Sequence, residues 1–254
     1  MTTDSRIALV TGANKGIGRE IVRQLAGLGM TVLLGARDKD RRERTVAELT
    51  ADGVRSVHPL ALDVTDPETV AAAAGEIDTR FGRLDVLVNN AAITGAGRVA
   101  PGDSARSQQP STADPAVVRS VFDTNVFGVL TVTNAMLPLL LRSDAPRVVN
   151  MSSSVGSFAV MTDADGPLAD LPASAAYVPS KSSLNAMTVQ YAKEFRGTKL
   201  LINAACPGYV ATDLNNHTGF RTVEQGASIA VRLATLGPDG PTGGFFDDDG
   251  PVPW

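Results

Sequence analysis

Short runs of β-branched and aliphatic residues recur along this chain, each followed by a longer stretch with apolar residues three and four apart. The strand candidates are 7–10, 31–34, 57–62, 86–88, 148–151 and 200–204, segments short enough and rich enough in Val, Ile and Leu to read as buried strands. Between them, 16–28 places Ile17, Ile21, Val22, Leu25 and Leu28 at helical spacing, and 67–81 opens on Pro67 after Asp66. A third helical stretch, 116–141, contains Pro138, which should kink it or end it early. Strands joined by crossover helices make a parallel sheet covered on both faces, so the fold class is α/β, doubly wound, with ligands received at the carboxyl ends of the strands. At 254 residues the whole chain, 1–254, reads as one domain.

Two segments interrupt the alternation: 94–114 and 156–176, both rich in Gly, Pro, Ser and Asp. Loops of this length inside a compact domain are uncommon, and they read either as active-site loops or as plain surface insertions. Net charge is −4, and the one dense basic cluster, Arg41, Arg42 and Arg44, is interleaved with Glu43 as on a solvated helix face, so no nucleic-acid partner is expected. The single cysteine, Cys206, excludes an intrachain disulfide, and His58 and His217 lack metal-ligand spacing with it, so no metal is expected. No apolar stretch approaches the roughly 20 residues that span a bilayer, and the amino terminus reads as a first strand rather than a signal peptide. A cytoplasmic protein with no membrane partner is the expectation.

After the first strand comes Thr11-Gly12-Ala13-Asn14-Lys15-Gly16-Ile17-Gly18. Glycines let a backbone turn tightly and approach a pyrophosphate, while a helix that starts there offers free N–H groups and a partial positive charge. The position and spacing of this turn make a dinucleotide-binding Rossmann fold the reading, and they resemble the short-chain dehydrogenase/reductase family. At the end of the second strand, Ala36-Arg37-Asp38 lies where the adenosine ribose would sit. An acid there would hold a free 2′-hydroxyl, whereas a guanidinium forms charge-assisted bonds to a 2′-phosphate. Ala36 stands where family members that use NAD carry the acid, so Arg37 and Lys15 favour NADPH/NADP. Asp38 argues the other way, and Arg37 paired to Asp38 on the surface is the bland alternative. The resemblance further implies adenine contacts from Asp63 and Val64 and cofactor contacts from Asn90 and Ala91. Ala92 replaces a usual glycine, which strains the chain only if φ is positive there.

Tyr177-Val178-Pro179-Ser180-Lys181 sets a phenol and an ammonium four apart, on one face of a helix. A free tyrosine titrates near 10, so acid/base work near neutrality calls for a cation that stabilises phenolate, here Lys181. A surface pair that snorkels its charge is the alternative for this spacing taken alone. The strand at 148–151 delivers Ser152-Ser153-Ser154, and the family's habit of a catalytic serine three residues before a glycine selects Ser153, ahead of Gly156, over its two neighbours. The resemblance makes Asn125, in Phe122-Asp123-Thr124-Asn125, a catalytic residue that holds a water for proton relay through Lys181; the alternative is a buried structural amide. It also places Pro207, Gly208, Val210 and Thr212 over the nicotinamide, with Val210 N–H and the Thr212 hydroxyl on its carboxamide. Cys206 beside them reads as an inert buried thiol.

The motifs Asn14 to Gly18, Ala36-Arg37-Asp38, Leu84 to Asn90 and Gly243-Gly244-Phe245-Phe246 with Trp254 resemble the carbonyl reductase branch. That implies NADPH-dependent reduction of a ketone, aldehyde or quinone, with Ser153 binding the carbonyl oxygen and Tyr177 donating a proton. An NAD-linked dehydrogenase working in the oxidative direction, and a regulator that senses NADP without turnover, are the competing readings. Ser153 and Tyr177 lie 24 positions apart, an intermediate spacing for the family, and the inserted segment favours a monomer over a homodimer.

Overall fold

The computed structural model describes residues 5–95 and 108–254. Strands β1 (Ile7–Thr11), β2 (Thr31–Ala36), β3 (Val57–Ala61), β4 (Val86–Asn89), β5 (Arg147–Met151), β6 (Leu201–Ala205) and β7 (Phe245–Phe246) form a single sheet in the order β3-β2-β1-β4-β5-β6-β7. Every pairing is parallel. The order reverses direction at β1 and β4, which leaves a crevice above their carboxyl ends. The six expected strands are all present. The two-residue β7 was not anticipated, since two residues show no period.

Alternation along the strands loads the two faces of the sheet. Ala8, Val10, Leu34, Val86, Val88 and Val149 point to the side covered by α1 (Gly16–Gly27), α2 (Lys39–Ala51) and α8 (Val223–Ala234), where Ile21, Leu25, Leu49, Ile229 and Leu233 meet them. Leu9, Leu33, Leu60, Leu87, Val148 and Ile202 point to the other side, against α3 (Pro67–Phe81), α5 (Gly128–Leu140) and α7 (Tyr177–Glu194), which contribute Ile77, Val132, Met136 and Tyr191. Each such aliphatic side chain contributes about 1.5–3 kcal/mol by leaving water, and together they hold the crevice rigid.

Three expectations change. Pro138 does not end its helix early: α5 runs to Leu140, because a proline in the last turn forfeits a single backbone bond. The irregularity falls earlier, where α4 (Pro115–Phe122) passes into a π-helical turn, Asp123–Phe127, before α5. The combined stretch Pro115–Leu140 is long and apolar enough to cross a membrane by length and composition, contrary to the sequence reading. Its Val121, Val126, Val129, Val132 and Met136 are instead buried in the fold. Finally, Arg42 is not on a solvated face: it is buried and donates to the Ala36 carbonyl at 2.7 Å, fastening the end of β2.

Candidate active site

A cleft of about 1070 Å³ opens over the carboxyl ends of the strands, lined from β1 to β4 by Gly12, Asn14, Lys15, Gly16, Ile17, Gly18, Arg37, Asp63, Val64, Asn90 and Ala91, and from the other half by Tyr177, Lys181, Pro207 and Thr212. The structure therefore brings together most of the residues that the sequence singled out. Gly208 and Val210 stand just behind this lining, Gly208 exposed with φ +74° and Val210 buried with its carbonyl held by the Asn215 amide at 2.9 Å.

The glycine turn is tightly seated. A Cβ on Gly12, which has φ +62°, would lie 2.8 Å from the Ala91 Cα, and one on Gly18 would lie 2.4 Å from Asn90 Nδ2 and 2.8 Å from the Gly12 carbonyl. Asn90 closes the turn by donating to the carbonyls of Thr11 at 2.9 Å and Gly12 at 3.2 Å, and the Thr11 hydroxyl accepts from the N–H groups of Asn90 and Ala91. Helix α1 starts here at Lys15 with no side-chain cap, whereas α2, α3, α4 and α8 are capped by Asp38, Asp66, Asp114 and Thr222. An uncapped helix start leaves N–H donors aimed into the cleft, where they fit an anionic group such as a pyrophosphate. Among the described residues, non-glycine positions with positive φ are Ser56, Asn216 and His217, so the alanine at Ala92 is unstrained.

The charges at the adenosine end differ from the sequence reading. Arg37 faces Asp63, 3.7 Å away, rather than Asp38. Asp38 also lines the cleft, where its carboxylate caps α2 through Arg41 N at 3.0 Å and pairs with the Arg41 side chain at 3.4 Å. Burial raises the Asp63 carboxyl, but the Thr65 N–H and hydroxyl and the Arg37 guanidinium outweigh it and hold it below the ordinary range. Arg41 also lines the cleft; its place in a basic cluster was the signal, and the solvated-face reading hid it. Lys15 reaches across the cleft to Asp213 at 2.8 Å, and His217 bonds the same carboxylate at 2.9 Å. Lys15 chiefly keeps that carboxyl below its usual range.

At the other end, α7 begins at Tyr177, again without a side-chain cap. Burial pushes the phenol well above its ordinary range, the neighbouring Cys206 thiol adds to this, and a hydrogen bond with the Ser153 hydroxyl opposes it in part. Lys181 Nζ donates to the Met151 carbonyl at 2.7 Å and lies 5.5 Å from the centre of the Tyr177 ring. Burial brings its ammonium down to about 8. The ammonium lies over the ring face with one hydrogen bond to a backbone carbonyl, and burial is the largest influence on both groups. Of the three serines, Ser152 lines the cleft and donates to Asn185 Oδ1 at 2.6 Å, while Ser153 faces Tyr177.

The Asn125 side-chain amide is engaged by protein groups. It is fully buried in the π turn, its oxygen accepts from Ile93 N at 2.9 Å, and its nitrogen donates to Ile93 O at 2.9 Å and Ser180 Oγ at 3.1 Å. Ser180 passes the link to the Tyr177 carbonyl at 2.7 Å. The Asn125 side chain therefore ties the loop after β4 to the first turn of α7. Ser180 was missed, since a serine inside the Tyr177 to Lys181 motif carries no signal of its own. Of the expected loop 94–114, residues 96–107 lie outside the described residues; Gln108 joins it to the 156–176 segment by accepting from Ala175 N at 2.8 Å and pairing with the Ser174 hydroxyl at 2.9 Å. Among the described residues no His, Cys, Asp or Glu group is arranged to hold a metal ion.

The sequence model of the short chain dehydrogenase family matches residues 6–220. (+)-Neomenthol dehydrogenase of Arabidopsis thaliana is 37% identical over 95% of this chain and 95% of that protein. The structure of salutaridine reductase from Papaver somniferum superposes with a TM-score of 0.80 at 33% identity, covering 96% of this chain and 99% of that one. The NADPH-bound carbonyl reductase from chicken fatty liver gives 0.82 at 26% identity, covering 98% and 99%. The chain belongs to the short-chain dehydrogenase family, within which it is similar to carbonyl reductases, and it is an oxidoreductase of that type.

Proposed function

We propose that this protein uses NADPH to reduce the carbonyl group of a ketone, aldehyde or quinone to an alcohol. The observation that carries the reading is half-buried Tyr177, its phenol pushed above its ordinary range and facing the Ser153 hydroxyl, at one end of a cleft whose other end bears Arg37 and Arg41. A phenol kept protonated is suited to giving a proton, which is what reduction requires of it. Two guanidiniums at the ribose end, with Asp38 diverted to a helix cap, fit a 2′-phosphate. The glycine cradle and the uncapped start of α1 fit the pyrophosphate.

The reduced nicotinamide supplies hydride when it is bound. Ser153 donates a hydrogen bond to the substrate carbonyl oxygen, and Tyr177 transfers its proton to that oxygen as the alcohol forms. Lys181, charged below about 8, stabilises the phenolate left behind, and a proton taken up from solvent restores the phenol. Asn125 and Ser180 hold the first turn of α7 so that Tyr177 keeps its place. Pro207, Gly208, Val210 and Thr212 are assigned to the nicotinamide end. The lone thiol suits a reducing compartment such as the cytoplasm. The reading includes a monomer; half-exposed Phe127 and Leu130 are the face a homodimer would cover, and sedimentation equilibrium decides between the two.

The test is NADPH oxidation against a panel of ketones, aldehydes and quinones, with NADH and the matching alcohols as separate arms. Turnover of a carbonyl is expected, and Tyr177→Phe should lose roughly 10²- to 10⁴-fold in rate while still binding NADPH. Near-parent turnover by that variant would remove Tyr177 from its role.

A further inference from the structure

The turn that carries Ser153 is short and weakly self-supporting. It is a three-residue 3₁₀ turn, Ser154–Gly156, and the Ser153 hydroxyl's own local bond, from Val155 N, is long at 3.4 Å. Three-residue turns of this kind hold their geometry poorly without outside contacts. On one side the turn leans on α7, where a Cβ on Gly156 would lie 2.8 Å from the Lys181 backbone. On the other side it meets residues 251–254, almost a hundred positions further along the chain.

Ser157 makes that second connection. It is fully buried, its hydroxyl donates to the Pro253 carbonyl at 2.7 Å, and it accepts from Val160 N at 3.1 Å, starting the short helix α6 (Phe158–Met161). Two residues on, Ala159 N donates to the Trp254 carbonyl at 3.1 Å. The indole of Trp254 stacks on Phe245, with ring centres 5.6 Å apart and 19° between planes. Phe245 is itself buried in β7, and Val252 N returns to its carbonyl at 2.8 Å. A continuous path of bonds thus runs from the edge of the sheet, through Trp254 and Pro253, to the residue that follows the Ser153 turn.

We propose that Ser157 and Trp254 are positioning residues of the reductase: they strap the Ser153 turn and the root of the 156–176 segment to β7, and so fix the distance between the Ser153 hydroxyl and Tyr177 that a carbonyl oxygen must bridge. The proposal rests on the carbonyl-reductase reading above. Misplacing a group that binds the oxygen costs rate even when the fold survives, because the bond is made only in the correct geometry.

The test measures kcat and KM for the best carbonyl of the panel, normalised to the number of NADPH-binding sites found by titration. Ser157→Ala and Trp254→Ala should each lower kcat about tenfold per binding site, with NADPH affinity within twofold of the parent and an unchanged pH profile. Trp254→Phe, which keeps a flat ring on Phe245, should recover most of the loss. Trp254 is the only tryptophan in the chain, so its emission should shift to the red in Ser157→Ala as the strap loosens. A purely structural role would instead lower the number of binding sites and leave kcat per site at the parent value, and that result overturns the proposal. An active parent with Ser157→Ala and Trp254→Ala both inside twofold in kcat would sink the strap alone, whereas a parent inactive on every carbonyl would sink the functional reading and the strap with it.

Discussion

On the β1–β4 side of the cleft, the backbone itself makes the surface: Gly12 and Gly18 leave no room for a methyl group against Ala91 and Asn90, and α1 starts there without a cap. On the β5–β7 side, the surface is made by side chains on turns, Ser152, Thr212 and Asp213, and the first and last of these meet Asn185 and Lys15, far away in sequence. The first side is built to receive a group of fixed shape and charge. The second is held at a few points, Gln108 at one end of the 156–176 segment and Ser157 at the other, and leaves the intervening residues 163–171 mostly at the surface. The difference teaches where tolerance to change should lie.

Substitutions can break that contrast or sharpen it. Gly18→Ala should weaken NADPH binding roughly thirtyfold, from an overpacking cost of about 2 kcal/mol, measured by fluorescence titration. Leu171→Ala, on the half-exposed part of the 156–176 segment, should leave NADPH affinity within twofold. If the two effects were reversed, the contrast would fail. Arg37→Ala should cost about tenfold in NADPH affinity, the size of a charge-assisted hydrogen bond, and leave NADH nearly unchanged; equal losses would reject the phosphate contact.

Lys181 sharpens the comparison from the other side. Its folded-state value is lowered to about 8 by burial, so it carries its proton below that pH and loses it above. The rate of carbonyl reduction should therefore fall as pH rises, about eightfold between pH 7.5 and 9 for one such group. The residual activity of Lys181→Met should lack this limb in a pH–rate profile. The smallest effect concerns Asp38, which lines the cleft while its carboxylate is taken up in capping α2. Asp38→Ala should lose about 1 kcal/mol of stability in urea titration, with NADPH affinity unchanged or slightly raised by removal of the negative charge.

Contiguous motifs were legible because each is a local device. A glycine turn before a helix, a tyrosine and lysine four apart, and serines at a strand end all place their own groups relative to one another, and the structure gathers Gly12, Asn14 to Gly18, Tyr177 and Lys181 around one cleft, with Ser153 facing Tyr177. What stayed hidden is long-range. The partner of Arg37 is Asp63 rather than the adjacent Asp38, Asn125 is consumed by Ile93 and Ser180, and Arg42 turns inward to Ala36. The helix α8 carries a readable start in Thr222 and Gln225, which cap one another reciprocally. β7 carried none, since its two residues are strand only because β6 lies beside them.

The sequence alone determined the alternation of strands and helices, hence the parallel sheet, the crevice above it and the kinds of group that line it, because periodicity and short motifs act over a few residues. The tertiary structure decided which charges meet, which amides are spent and how far burial shifts Tyr177 and Lys181. Desolvation and hydrogen bonding are properties of a packed neighbourhood, and residues as far apart in the chain as Ser157 and Pro253 become neighbours only when the whole sheet has formed.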